Sequence, residues 1–168
     1  MARVRLLPHE QALLESGRLR DVTHAGASAA WLHAASCTPA EAGPDRAAAY
    51  RPMGDAEFAT LARTGQLPST QPYQTIVLGE PGRAYAEGYL RGRKRVDSAP
   101  TTVVEFLAPR ELVEALFARQ CKPEEGCLSH GLGDKGGGGL PAFNAALAAG
   151  AVTWRVVLVK RNARAAAE

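Results

Sequence analysis

Ala49-Tyr-Arg-Pro-Met53-Gly-Asp-Ala-Glu57-Phe-Ala-Thr-Leu61-Ala-Arg-Thr-Gly65 passes from a short β-like run straight into a helix. Asp55 is placed to cap that helix, Phe58, Leu61 and Ala62 share one of its faces, and Gly65 supplies the stop. Three more brief strands are predicted downstream, at Thr75–Leu78, Thr101–Leu107 and Val152–Lys160. Between them Arg83–Leu90, Arg110–Arg119 and Pro141–Ala149 read as helices. The second buries Leu112, Val113, Leu116 and Phe117, and Gly150 caps the third. Strands split by helices and long loops define an α+β domain, and there is no internal repeat.

Upstream the texture differs. Leu6–Leu19 suits an amphipathic helix begun by Pro8-His9-Glu10, and Ser28–Ala35, carrying Trp31, suits a second. Cys37-Thr-Pro-Ala-Glu-Ala-Gly-Pro-Asp45 is a turn-rich connector. A boundary there divides the chain into a helical N-terminal segment and linker over residues 1–48, a domain over 49–162 and a tail over 163–168.

The 168 residues, 46% hydrophobic, suffice for one core of ordinary size and exclude a multidomain enzyme. A net charge of +3 permits an acidic partner without requiring one. Arginine outnumbers lysine 16 to 4 and there are 32 alanines, a bias of GC-rich coding that weakens helix assignments resting on alanine alone. No stretch approaches the roughly 20 apolar residues of a membrane span, and Pro8 interrupts any leader-like apolar run. Three cysteines at irregular spacing, Cys37, Cys121 and Cys127, argue against a disulfide scaffold and for a reducing compartment, although Cys121 and Cys127 are near enough to meet.

Several motifs fail on inspection. In His130-Gly-Leu-Gly-Asp-Lys-Gly-Gly-Gly-Gly139 the lysine precedes glycines, not the hydroxyl residue and helix a P-loop needs, and no strong strand feeds it for a dinucleotide fold. A flexible loop is expected. Cys121, Cys127 and His130 are spaced as C-x5-C-x2-H but lack the close cysteine pair and fourth ligand of a zinc site, so thiols and no metal are expected. His9, His24 and His33 have no triad companions. Arg91-Gly-Arg93-Lys94-Arg95 is a solvated loop or a contact for RNA or an acidic protein, with Tyr85 and Tyr89 as the nearest aromatics. Arg51, ending a short strand before a capped helix, is placed to aim its planar, always-charged fork at a phosphate.

The run from Tyr50 to Gln66, with Tyr-Arg-x-Met-x-x-x-Glu-Phe and Thr-Gly-Gln, resembles the opening of the ADP-ribosyltransferase toxin domains of bacterial Rhs and other polymorphic toxins, closest to the group that modifies elongation factor Tu. The resemblance continues through Thr75–Leu90, the Val-Val-Glu-Phe run at Val103–Phe106 and the Gly-rich loop leading to Phe143-Asn144, so it spans about Tyr50 to Lys160. It implies the split β-sandwich of mono-ADP-ribosyltransferases, with NAD as substrate between two small sheets. Arg51, supported by Tyr50, would hold a pyrophosphate or ribose of NAD. Thr75 to Gly79 would be the second motif strand, weakened by Val77 and Gly79 where a hydroxyl residue often stands. Tyr85 or Tyr89 would stack on the nicotinamide.

The family's glutamate, which stabilises the oxocarbenium-like state formed as the nicotinamide–ribose bond breaks, aligns with Ala142. The chain is then a pseudoenzyme, or Glu124, Glu125 or Asp134 fills the role, or Ala142 replaces a glutamate whose activity kills the producing cell. The resemblance further implies delivery by a bacterial secretion system, action in the target-cell cytoplasm in interbacterial competition, a cognate immunity protein and no membrane partner. Elongation factor Tu would be the acceptor; RNA as acceptor, NAD hydrolysis and a non-enzymatic binding module of the same fold are the alternatives.

Overall fold

A computed structural model describes residues 11–12, 19–24, 29–69, 71–92, 100–120 and 126–162. In chain order they form β1 (Leu19–His24), β2 (Ala29–Ala34), α1 (Pro39–Ala42), β3 (Arg46–Met53), α2 (Asp55–Thr64), β4 (Thr75–Leu78), α3 (Gly79–Leu90), β5 (Thr102–Pro109), α4 (Arg110–Arg119), β6 (Ser129–Gly131), α5 (Leu140–Ala148) and β7 (Thr153–Asn162). The expected α+β class is what the chain adopts. All strand pairs are antiparallel, in one connected sheet of order β1-β2-β7-β5-β3-β4-β6.

Helices cover both faces, which is why the central strands read as apolar runs without clean alternation. On one face Ala49 and Met53 of β3 and Val104 and Phe106 of β5 pack with Phe58 and Leu61 of α2, Leu116 of α4 and Phe143 of α5. On the other, Tyr50, Val77, Val103 and Leu158 pack with Trp31 and with Ala86 and Leu90 of α3. Register slips between Val103 and Val104, opposite Leu158 and Val156, so Val157 is a bulge residue sharing a face with Leu158. α3 lies directly against the strand it follows: a Cβ on Gly82 would stand 2.6 Å from the Val77 carbonyl carbon.

The junction of β3 with β4 is narrow. Only Ala49↔Leu78 and Tyr50↔Val77 pair there, while β4 pairs onward with β6 from Thr75↔Gly131 to Val77↔Ser129. The sheet is therefore continuous by hydrogen bonding, not two separate sheets, and has a two-pair waist beside Arg51.

Three expectations are corrected. Ala29–Ala34 is a strand and not part of a helix: Trp31 pairs with Lys160 across β2 and β7 and is buried in the second core, and that burial overrides alanine's helix preference. Consequently β1 and β2 belong to the same sheet as β3, so the sheet runs across the expected boundary at residue 48, and the N-terminal segment is not simply helical. Gln11 and Ala12 are helical and Leu19 is in a strand; the rest of Leu6–Leu19 and the tail over 163–168 lie outside the described residues. At α2 the N-cap is Gly54, and the Asp55 carboxylate instead accepts from Thr101 Oγ1 at 2.5 Å; Gly65, at φ 71°, does end the helix. Among the described residues no helix is long and apolar enough to cross a membrane.

Candidate functional site

Arg51 is turned inward and is only 4% exposed. Alternation along β3 puts it on the face of Ala49 and Met53, toward α2. Its Nε donates to Glu57 Oε1 at 2.6 Å, and Nη2 donates to Glu57 Oε2 at 3.0 Å and to Gln71 Oε1 at 2.7 Å. Nη1 donates to the Thr75 carbonyl at 2.9 Å. Gln71 closes the ring by donating from Nε2 to Glu57 Oε2 at 3.0 Å. The fork thus joins β3, α2, the segment after α2 and β4 just where the β3–β4 ladder ends. A guanidinium has five N–H donors, so one hydrogen on Nη1 remains for a further acceptor. In a buried pair of this kind, removing either partner strands the other charge.

The segment from Leu67 to Gln74 is held from several sides. Asn144 of α5 accepts from the Leu67 N–H at 2.8 Å and donates to the Leu67 carbonyl at 2.9 Å. Gln74 is buried at φ 47°, donates from Nε2 to the Pro68 carbonyl, and keeps Oε1 buried without a partner. The Gly-rich loop lies alongside: Gly133 N–H donates to the Tyr73 carbonyl and Lys135 N–H to the Pro72 carbonyl, both at 2.8 Å. Any Cβ on Gly133 would collide with the Pro72 carbonyl, and one on Gly136 would stand 2.6 Å from the Gly131 oxygen. Glycine is thus required by close backbone approach. The expected flexible loop is a pinned one, and β6 at its start was not anticipated from sequence.

His130 of β6 is buried, with Nδ1 3.1 Å from the Gln120 carbonyl oxygen and Nε2 2.9 Å from that of Gly138. Cys127 is disulfide-bonded and Cys37 is a thiol. A disulfide sulfur is not a zinc thiolate, so the C-x5-C-x2-H spacing does not build a metal site, and the expectation of a thiol at Cys127 is corrected. Cys121, Glu124 and Glu125 lie outside the described residues.

Tyr50 faces the opposite way from Arg51. Its hydroxyl donates to Glu105 Oε2 at 2.7 Å, Arg155 Nε donates to Glu105 Oε1 at 2.5 Å, and the Cys37 N–H donates to Oε2 at 3.0 Å. Tyr50, Glu105 and Arg155 are direct cross-strand neighbours on β3, β5 and β7. Burial, with the Glu105 carboxylate adding to it, pushes the Tyr50 phenol well above its ordinary value, so it stays a neutral donor. Nearby Arg83 of α3 donates to Ser36 Oγ, to the Ala34 carbonyl and to Glu87.

The other expected site residues disperse. Tyr85 and Tyr89 stack edge to face at 5.4 Å on α3, across the sheet from Arg51. Thr75 meets the Arg51 guanidinium through its backbone carbonyl, and Gly79 opens α3 at φ 64°. Ala142 and Asp134 are exposed. Arg91 is exposed and lies 4.8 Å from the Trp31 ring centroid, with Lys160 Nζ at 5.4 Å; Arg93, Lys94 and Arg95 lie outside the described residues. Sequence reasoning missed Glu57, Gln71, Glu105 and Arg155. For Glu105 a signal existed, a lone charge in an apolar Val-Val-Glu-Phe strand; Gln71 had none.

Comparison with protein-family models, curated proteins and solved structures finds no match to this chain.

Proposed function

We propose that the chain is an NAD-dependent mono-ADP-ribosyltransferase domain of the polymorphic-toxin kind, a variant of that class's split β-sandwich in which the two sheets are joined into one at the β3–β4 waist, moving ADP-ribose to a macromolecule of a recipient bacterium. Elongation factor Tu is the first acceptor to test. The observation that carries this reading is the convergence at the sheet's waist. Arg51 on β3, the second motif strand β4, and β6 opening the Gly-rich loop are consecutive neighbours, and Arg51 bridges the first two through the Thr75 carbonyl. Three stretches that the resemblance links only in sequence order are thus adjacent in space.

In this reading Glu57 and Gln71 fix the plane of the guanidinium, and the remaining Nη1 hydrogen is the one offered to a ribose or phosphate oxygen of NAD. Cleavage of the nicotinamide–ribose bond builds positive charge on the sugar, which a carboxylate stabilises. Ala142 supplies none. It lies exposed in the first turn of α5, where a glutamate is favoured by the helix dipole, so this position accepts the family's acid.

A non-enzymatic binding module of the same fold is the second reading, favoured by the occupied Arg51 fork and by Ala142. Calorimetric titration with NAD separates them. Arg51→Lys keeps the charge and loses the fork, so NAD binding by the intact chain should weaken at least about tenfold in that variant, as expected for one lost charge-assisted bond. A folded chain, checked by its melting transition, that takes up no NAD supports the binding module.

A further inference from the structure

His130 is only 2% exposed, yet both of its ring nitrogens face backbone carbonyl oxygens. Nδ1 stands 3.1 Å from that of Gln120, the C-cap of α4, and Nε2 2.9 Å from that of Gly138 in the Gly-rich loop. A carbonyl oxygen only accepts, and a neutral imidazole carries one N–H; only the imidazolium has two to give. A neutral ring therefore turns one bare nitrogen toward a carbonyl in a place closed to water, and two unsatisfied acceptors face each other. The loop is also pressed against the ring, since a Cβ on Gly137 would stand 2.5 Å from His130 Cε1.

The surroundings leave this charge to the two carbonyls. Among the described residues His130 makes no ion pair. From α4 the Phe117 ring lies at 5.4 Å, and the exposed Arg119 precedes Gln120. Neither β4 nor α5 carries a charged side chain, Asp134 and Lys135 of the loop are exposed, and Cys127 is disulfide-bonded. The end of α4 is where a helix dipole favours a positive charge.

We infer that His130 is a proton-operated latch on the Gly-rich loop. As imidazolium it donates to both carbonyls and ties Gly138 to the end of α4; on losing a proton it keeps one bond, and the other contact turns repulsive. The latch does not depend on the use of NAD. It sets how firmly the loop grips the neighbouring arch, because the same loop donates from Gly133 and Lys135 to the Tyr73 and Pro72 carbonyls, beside the Gln71 that holds Arg51.

The test follows the His130 ring nitrogens by NMR, and the loop amides by hydrogen exchange, in the full chain between about pH 5 and pH 8, where imidazoles change charge. Both nitrogens should carry protons at the acid end and only one at the alkaline end. The Gly138 and Leu140 amides donate to the Gly131 and Leu132 carbonyls beside the latch. Corrected for intrinsic exchange, their protection should fall at least about tenfold over the same range, the size of one lost hydrogen bond to a charged group. Amides of the central strand β5 should keep theirs. In His130→Gln, whose amide does not titrate, loop protection should lose its pH dependence; His24 and His33 are at the opposite edge of the sheet and should not supply one. A ring that keeps one charge state throughout, or loop protection that does not follow the ring, overturns the latch. If His130→Gln does not fold, the ring nitrogens and loop amides of the unaltered chain decide the matter by themselves.

Discussion

At the scale of single residues, two carboxylates among the described residues are buried on opposite faces of one sheet, each with its own arginine. Glu57 is committed to Arg51 and Gln71, Glu105 to Arg155, Tyr50 and the Cys37 N–H. Such charges persist because their lone pairs are filled, not because the pairs add much net stability. Tyr50 makes one such commitment measurable. Its phenol binds its proton more tightly folded than unfolded, so its contribution is fully present below about pH 10, the unfolded value, and is lost as pH rises toward the higher folded value. The unfolding free energy should therefore fall by up to about 1.4 kcal/mol per pH unit above pH ~10 from this group alone, read as a falling urea midpoint, and Tyr50→Phe should remove that component. Equal alkaline slopes in both chains would contradict the buried Tyr50–Glu105 contact.

At the scale of elements, what was legible in the sequence was set by local chemistry. Arg110–Arg119 is the helix its apolar spacing predicts, and Thr75–Leu78 the predicted strand. Ala29–Ala34 was misread because nothing local announces its pairing with β7, and β6, three residues long, owes its existence to the edge of β4. Capping was half legible: Gly65 adopts the left-handed turn that glycine favours, whereas Asp55 is drawn away by Thr101, forty-six residues on. The seat of α3 depends on a glycine that sequence alone gives no reason to notice. Gly82→Ala places a methyl 2.6 Å from the Val77 carbonyl carbon, so the first turn of α3 must lift from β4. A loss of about 1–3 kcal/mol is expected, the usual range for overpacking, read as a lower urea midpoint. A midpoint within error of the unaltered chain would show that α3 does not sit as tightly as described.

At the scale of the molecule, a strand hairpin extends a sheet whose far edge is the short β4–β6 pair, and the Gly-rich loop folds back against the arch from Leu67 to Gln74. The candidate site was legible in its parts and not in its assembly. Arg51 was singled out for charge and position, yet its partners Glu57 and Gln71 come from a helix and a loop whose approach only the tertiary fold decides. Tyr50 and Arg51, adjacent in sequence, part to opposite faces because a strand alternates, a separation that the shared motif conceals. What unites the waist, the fork and the loop is the proposed transfer of ADP-ribose, and its chemistry needs a carboxylate that Ala142 lacks. The most direct measurement is therefore label transfer from biotinylated NAD to bacterial extract, comparing the unaltered chain with Ala142→Glu. The account predicts that Ala142→Glu labels a macromolecule at least about a hundredfold faster, as electrostatic stabilisation at such centres supplies, with the label removed by protease, or by ribonuclease if the acceptor is RNA. A folded Ala142→Glu chain that neither labels extract nor consumes NAD would contradict it.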